Sequence, residues 1–413
     1  MGSTRRSGRI AVAAVGAALL VAGLAGCGGD ANASVGSPVK VMTWAPEDGA
    51  PGDQPGVTAL ATAVAKEVNA TGGLQGRPLQ VITCNEHGTP AGATACANQA
   101  VSEKVVAVVG SYSQNGDSFM PVLEAGGIPY LGGFGLTSEE FASSLSYPVN
   151  GGYLSLLAGN GEQLVQSGCQ RVAVVSPNTP AATTMLNFLN VGLATGHIQA
   201  VEITTAPGRT DYTTEAAQAI GGDLRHSCVT TTLDPASTAT FFDDYRRLAP
   251  RHTQLSSVIG SIQQSLVDST GGDGGPLRAA LATGWYPPDA SPAWNELHAT
   301  VKKYAFTDNS INPADPGEQT TWIAYEVLRK AVSAIQGTVT AQTLRSYLNY
   351  CAPIVTGQTP PLAWRSGDLL SLGSAPRLVN TQVRFLQVRD GQLAQVGAGA
   401  VDVRKLLVNT TAS

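Results

Sequence analysis

Short apolar runs alternate along this chain with stretches whose apolar residues recur every three or four positions. Residues 39–44 form a β-rich run, and residues 56–69 place Val57, Leu60, Val64 and Val68 along one helical stripe. The same reading predicts strand at 79–83, helix at 91–103, a buried strand at 105–109, helix at 116–126, strand at 129–131, helix at 153–167, strand at 171–175 and helix at 183–194. A further strand is expected at 229–233. Strands that are apolar nearly throughout, alternating with helices, predict an α/β protein with parallel sheets covered on both faces. In such sheets ligands bind at the carboxyl ends of the strands, near switch points.

One apolar stretch stands outside the alternation. Residues 10–24 follow a basic segment with Arg5, Arg6 and Arg9 and lead into Leu24-Ala25-Gly26-Cys27. The run has the length of a secretory leader and falls short of the roughly 20 residues that a spanning helix needs. The small residues before Cys27 resemble the lipobox of bacterial lipoproteins, so residues 1–26 are expected to be a signal peptide and Cys27 the lipidated residue. That places the mature protein outside the cell, held by acyl chains on the outer face of the cytoplasmic membrane. An uncleaved membrane anchor, or cleavage after Ala31-Asn32-Ala33, are the alternatives. Residues 27–38, rich in Gly, Ala and Ser, have the composition of a flexible tether.

Past the leader, no segment is apolar for long enough to cross a bilayer. The mature length exceeds what one compact core usually covers, which favours two lobes. Charged residues are sparse and the formal net charge is −5, with no Lys/Arg cluster and no basic stripe, which argues against nucleic acid as a partner.

Cysteine usage agrees with export. No Cys-x-x-Cys and no His/Cys cluster at zinc spacing occurs, so no metal is expected, and disulfides are the better default outside the cell. Cys84 ends the strand-like run at 79–83 and Cys96 lies in the next helical stretch, a reasonable local staple. Cys169 and Cys228 each sit at the start of a predicted strand and are candidates to bridge neighbours. Cys351 is left over, either free or displacing one of these pairings, since connectivity does not follow from sequence.

Glycine punctuates several joints. Residues 69–78 close a helix and turn into the next strand. Gly132-Gly133-Phe134-Gly135 lacks the spacing of a dinucleotide loop, and Glu139 with Glu140 at the following helix would repel a phosphate, so no cofactor is implied.

In order and spacing, the run 39–44, the segment 69–78, Cys84 with Cys96, the strand ending at Gly110, and Ala125-Gly126-Gly127-Ile128-Pro129-Tyr130 resemble the leucine/isoleucine/valine-binding type of periplasmic solute-binding protein. Thr359-Pro360-Pro361-Leu362-Ala363-Trp364 and the lipobox resemble its lipoprotein members. The resemblance covers nearly the whole mature chain. It implies the type I periplasmic binding protein fold, two Rossmann-like lobes with parallel-sheet cores joined by a three-crossover hinge. One lobe would comprise 39–152 completed by about 286–350, the other 153–285 completed by about 351–413. It also implies capture of a small molecule, an amino acid or another small metabolite, between the lobes and its delivery to an ABC permease.

In that family the loop after the fourth strand grips the ligand, and here it reads Gly110-Ser111-Tyr112-Ser113-Gln114-Asn115. Ser111, Ser113 and Gln114 are therefore ligand candidates, with Ser113 alternatively a helix cap. The next matched loop offers the Gly135 backbone and the Thr137 hydroxyl, although Thr137 with Glu140 also spells a capping box. The second lobe departs from the family. Residues 177–182 hold no aromatic, and Ser261-Ile262-Gln263-Gln264 holds no carboxylate to pair with an α-ammonium. An unpaired buried ammonium costs several kcal/mol, so an α-amino acid is disfavoured unless Asp234 or Glu318 substitutes. Trp44, Trp285 and Tyr286 follow predicted strands, where aromatic platforms would suit an apolar or ring-bearing ligand; Trp44 and Tyr286 are read as cleft residues, and Trp285 suits cleft or core equally.

Catalysis finds no support. The chain has no Gly-x-Ser-x-Gly elbow, His-Glu-x-x-His or Walker loop, and His87, His197, His226, His252 and His298 are scattered. Glu139-Glu140 and Asp243-Asp244 read as solvated helix faces. The competing classes are a ligand-sensing lipoprotein without transport and, further off, an exported enzyme.

Overall fold

The structure is a computed structural model and describes residues 36–409 apart from 51, 207, 259–261, 371 and 374. The leader, Cys27 and most of the expected tether lie outside the described residues. Among the described residues no helix is long and apolar enough to cross a membrane, and no group of His, Cys, Asp and Glu is placed to hold a metal ion.

Among the described residues thirteen strands form two sheets. The first contains β1 (Val39–Ala45), β2 (Leu79–Asn85), β3 (Ala107–Val109), β4 (Tyr130–Leu131) and β5 (Ser146–Tyr147) in the order β2-β1-β3-β4-β5, all parallel. The second contains β6 (Arg171–Pro177), β7 (Val201–Thr205), β8 (Ser227–Thr231), β9 (Gln254–Val258) and β10 (Leu281–Gly284), parallel in the order β10-β9-β8-β6-β7. Three antiparallel additions, β11 (Gln382–Arg389), β12 (Gln392–Gln395) and β13 (Val401–Asp402), extend it past β10. In both sheets strand order turns back on itself, at β1 and at β6, as in doubly wound folds. Helices Asn295–Tyr304 and Pro316–Ala334 pack on helix Pro55–Ala70 of the first sheet before the chain returns to β11. The chain thus passes between the sheets three times.

Expected and observed elements agree in type and order and differ at their ends for a common reason. Helices expected to start at 56, 91 and 183 begin at Pro55, Pro90 and Pro180, because a proline at the first helical position loses no hydrogen bond and sets φ for the turn. Thr89 and Thr179 cap two of them through their hydroxyls. The strand expected at 229–233 is shifted two residues earlier by its pairing with β6, where Val172 faces Cys228. That register brings Cys169 and Cys228 within 5.8 Å, Cα to Cα, and they are bonded. Cys84 on β2 is bonded to Cys96 across the same distance, and Cys351 is free and buried.

Helix Gly152–Gln166 lies along the second sheet, and two features the hydropathy pattern does not reveal hold it there. Asn160 donates to Ser256 Oγ (2.7 Å) and Thr283 Oγ1 (3.2 Å) and accepts from Thr230 Oγ1 (3.0 Å), while Gln163 accepts from Thr283 Oγ1 (2.6 Å) and donates to the Leu386 carbonyl (2.8 Å). This network joins the helix to β8, β9, β10 and β11, and every member is buried. Against helix Pro180–Leu193 the contact is backbone on backbone: a Cβ on Gly192 would lie 2.1 Å from the Ala158 carbonyl oxygen. Gly192→Ala should therefore force the helices apart and cost about 2–3 kcal/mol; chemical denaturation that leaves the midpoint unchanged would show that this packing is not as described.

Candidate functional site

Between the two sheets lies a cavity of about 570 Å³ whose walls come from strand carboxyl ends. Tyr112 and Gln114 follow β3; Phe134, Leu136, Thr137 and Glu139 follow β4; Pro177 ends β6; Thr232, Leu233 and Asp234 follow β8; Val258 ends β9; and Trp285 follows β10. Tyr153, Leu156 and Leu157 contribute from helix Gly152–Gln166, Ala181 and Met185 from helix Pro180–Leu193, and Tyr212, Asp315 and Pro316 from the starts of two others. The volume is that of a pocket for a small organic molecule. Aromatic rings dominate one wall. Phe134 packs at a tilt on Tyr112, 4.8 Å between ring centroids, and edge-on at 5.2 Å to Trp285, which is fixed by donating from Nε1 to the Gly152 carbonyl (3.2 Å).

Of the residues singled out from sequence, Gln114, Thr137 and Trp285 line this cavity. Ser111, Ser113, Gly135, Trp44 and Tyr286 do not, each for a visible reason. Ser111 Oγ accepts from the Trp44 amide (3.1 Å). Ser113 Oγ donates to the buried Glu86 carboxyl (2.6 Å) and accepts from the Asn115 amide (3.0 Å). Trp44 lies within β1, on the face shared with Met42, and packs edge-on to Phe119 at 5.3 Å, so it fills core. Tyr286 lies one residue past Trp285 and shares a hydrogen bond with Thr320 (2.9 Å) while accepting one from Asn150 (3.2 Å), on the wall of a separate, smaller cavity of about 210 Å³.

Gly135 exposes the most informative arrangement. A single buried carboxylate, Glu140, collects the donors of this loop: Oε2 accepts from the Gly135 amide (3.0 Å), and Oε1 from the Leu136 amide (3.0 Å), the Thr137 amide (3.1 Å) and the Thr137 hydroxyl (3.2 Å). The amides expected to meet a ligand are satisfied from within. Burial pushes the Glu140 carboxyl up and these hydrogen bonds pull it back, leaving it at about 7. Burial likewise lifts Glu86 to about 7 against the bonds from Ser113 and Asn115.

A carboxyl raised in the folded state keeps a proton that the unfolded chain releases, so its contribution to stability declines as pH rises from about 4.5 to about 7. Glu318, lifted to about 9 by burial, extends the window upward. Asp48, Asp211, Asp223 and Asp368 are held low and are ionised in both states above pH 5, so they do not oppose the trend. The Tm should fall by a few degrees between about pH 5.5 and about pH 8; a Tm that rises over this interval would contradict the burial of Glu86 and Glu140.

Of the helices that start at the cavity, three begin the same way: Thr179-Pro180, Asp234-Pro235 and Asp315-Pro316. Thr179 Oγ1 accepts from the Ala182 amide (3.2 Å), Asp234 Oδ1 from Ser237 (3.0 Å) and Asp315 Oδ1 from Gly317 (2.7 Å). Proline has no amide to offer, and each cap takes one or two of the amides that follow, Asp315 accepting from both Gly317 and Glu318. Of the two acids weighed as a substitute partner for an ammonium, Asp234 lines the cavity, while Glu318 is buried behind it and accepts from the Asn312 amide (2.9 Å). Asp315 takes the position on the wall. The stretch after Val258, read from sequence as lacking a carboxylate, lies partly outside the described residues, at 259–261, and its Gln263 donates to Asp315 Oδ2 at 3.4 Å. Sequence reasoning also missed Tyr153 and Tyr212 as wall residues; the repeated cap-plus-proline pairs were the available signal for where these walls meet.

Residues 39–390 match the periplasmic binding protein family, and the chain belongs to that family. Its fold is shared with a possible leucine/isoleucine/valine-binding protein from Rhodopirellula baltica SH 1 (15% identity over 89% of this chain and 98% of that one, TM-score 0.73). A branched-chain amino acid ABC transporter protein from Thermus thermophilus with bound valine is similar at 14% identity, 91% and 100% coverage and a TM-score of 0.73. So is a fatty acid ABC transporter substrate-binding protein from Thermomonospora curvata, at 14%, 90% and 94% with a TM-score of 0.69. A search of curated sequences finds no match.

Proposed function

We propose that this protein is the extracytoplasmic receptor of an ABC importer, tethered to the membrane through Cys27, and that it captures a small molecule in the cavity between its two sheets. The observation that carries the reading is the cavity itself. It is mostly apolar, it is walled by the carboxyl ends of strands from both sheets, and its rings and helix starts close around one volume. A ligand touching both walls favours the arrangement in which they approach, which is how a binding event is signalled to a membrane partner. Gln114 and Thr137 are the polar contacts proposed from the first sheet's side. No catalytic role is proposed: Glu86 and Glu140, the carboxyls raised to about 7 beside the site, are turned inward on Ser113 and on the Gly135–Thr137 loop.

The relatives of this fold are named for valine and for a fatty acid, so ligand class does not follow from the fold. Deletion of the gene should abolish uptake of the solute that the protein carries, and Cys27→Ala should leave an unprocessed precursor or release the protein from the membrane fraction. Undiminished uptake in the deletion strain would remove the transport reading, and unchanged membrane retention of Cys27→Ala would remove the anchor.

A further inference from the structure

Resting on the capture reading above, we propose that the solute is an apolar amine, a protonated aliphatic or aromatic base without a carboxylate, whose ammonium pairs with Asp315. Three carboxylates line the cavity, those of Glu139, Asp234 and Asp315, and among the described residues no Lys, Arg or His does. A ligand carboxylate would meet no cationic side chain there, and many of the nearby backbone donors are committed. Glu140 holds the Gly135, Leu136 and Thr137 amides, and Thr179, Asp234 and Asp315 cap helices that each open on a proline.

The helix starts do carry positive dipole ends, each equivalent to about half a charge. At two of the three, the cap is an aspartate, an acidic side chain set against the dipole end and suited to a cation. Asp315 is the best placed of the acids. It is only partly exposed, Oδ1 is spent on the helix, and among the described residues Oδ2 has only a long contact with Gln263. Burial raises its carboxyl, a cost that an adjacent ammonium would offset.

Two further features fit the rest of such a molecule. Tyr212 belongs to the cavity wall, and its buried hydroxyl has no hydrogen-bond partner among the described residues, a polar atom left for a ligand or water. Tyr112, Phe134 and Trp285 supply an aromatic lining that suits an apolar body.

The test is calorimetry on solute-stripped protein with four probes of similar size: 2-phenylethylamine, 3-phenylpropionate, 3-phenylpropan-1-ol and leucine. The amine should bind at least tenfold more tightly than any of the others. Asp315→Asn keeps a competent cap, so the fold holds, and it should weaken the amine by about 10- to 100-fold while leaving the alcohol unchanged. Tighter binding of the acid or of leucine, or an amine preference that survives Asp315→Asn, would overturn the assignment. So would silence from all four probes, and capture itself would then be judged separately by whether protein from native cells retains a solute.

Discussion

Ala181→Trp should lower affinity for the retained solute by at least about 100-fold while leaving the melting temperature within a few degrees of the parent. Ala181 is exposed, lies in the first turn of helix Pro180–Leu193 and lines the cavity, so an indole there projects into open space and displaces no core atom. It would fill volume that the ligand needs and hold the walls apart. A surface substitution away from a binding site is usually within about 0.5 kcal/mol of neutral, so binding and stability should separate cleanly. Equal affinity in the variant, measured by calorimetry, would place the ligand elsewhere.

Removing the Cys169–Cys228 bond should have the largest effect on stability. It spans 59 residues and ties the start of β6 to the adjacent β8, a closure worth about 4 kcal/mol in the chain-entropy account. The Cys84–Cys96 bond closes only 12 residues and should be worth about 3 kcal/mol. The double variant Cys169→Ala/Cys228→Ala should accordingly unfold at clearly lower denaturant than Cys84→Ala/Cys96→Ala. The reverse order would mean that native strain or residual structure in the unfolded chain outweighs loop length.

The alternation of strands and helices was legible because buried parallel strands and amphipathic helices write different periods into the chain. β1, β3 and β8 are buried almost throughout, and helix Pro55–Ala70 buries Val57, Leu60, Val64 and Val68 as their spacing requires. The site was legible only in part. Loops after strands could be found, and Gln114, Thr137 and Trp285 came from that rule. Which side of a loop faces the cavity depends on contacts between distant residues. Glu140 reads as a helix-face acid until the loop folds back onto it, and Ser113 reads as a cap until Glu86 arrives from 27 positions earlier. Trp44 was misleading for a simpler reason: β1 runs through it to Ala45, so it stands inside the sheet and under Phe119. Asp315 is separated in sequence from every other wall element except through the fold, and only the shared Asp-Pro beginning with Asp234 hinted at a common role.

Capture requires that a small molecule occupy the cavity between the sheets. Mass spectrometry of protein purified from its native cells, sprayed intact and then denatured, measures this directly. One equivalent of a retained small molecule is expected on the parent protein and none on Ala181→Trp. No retained molecule on the parent, or the same occupancy in both proteins, would contradict it.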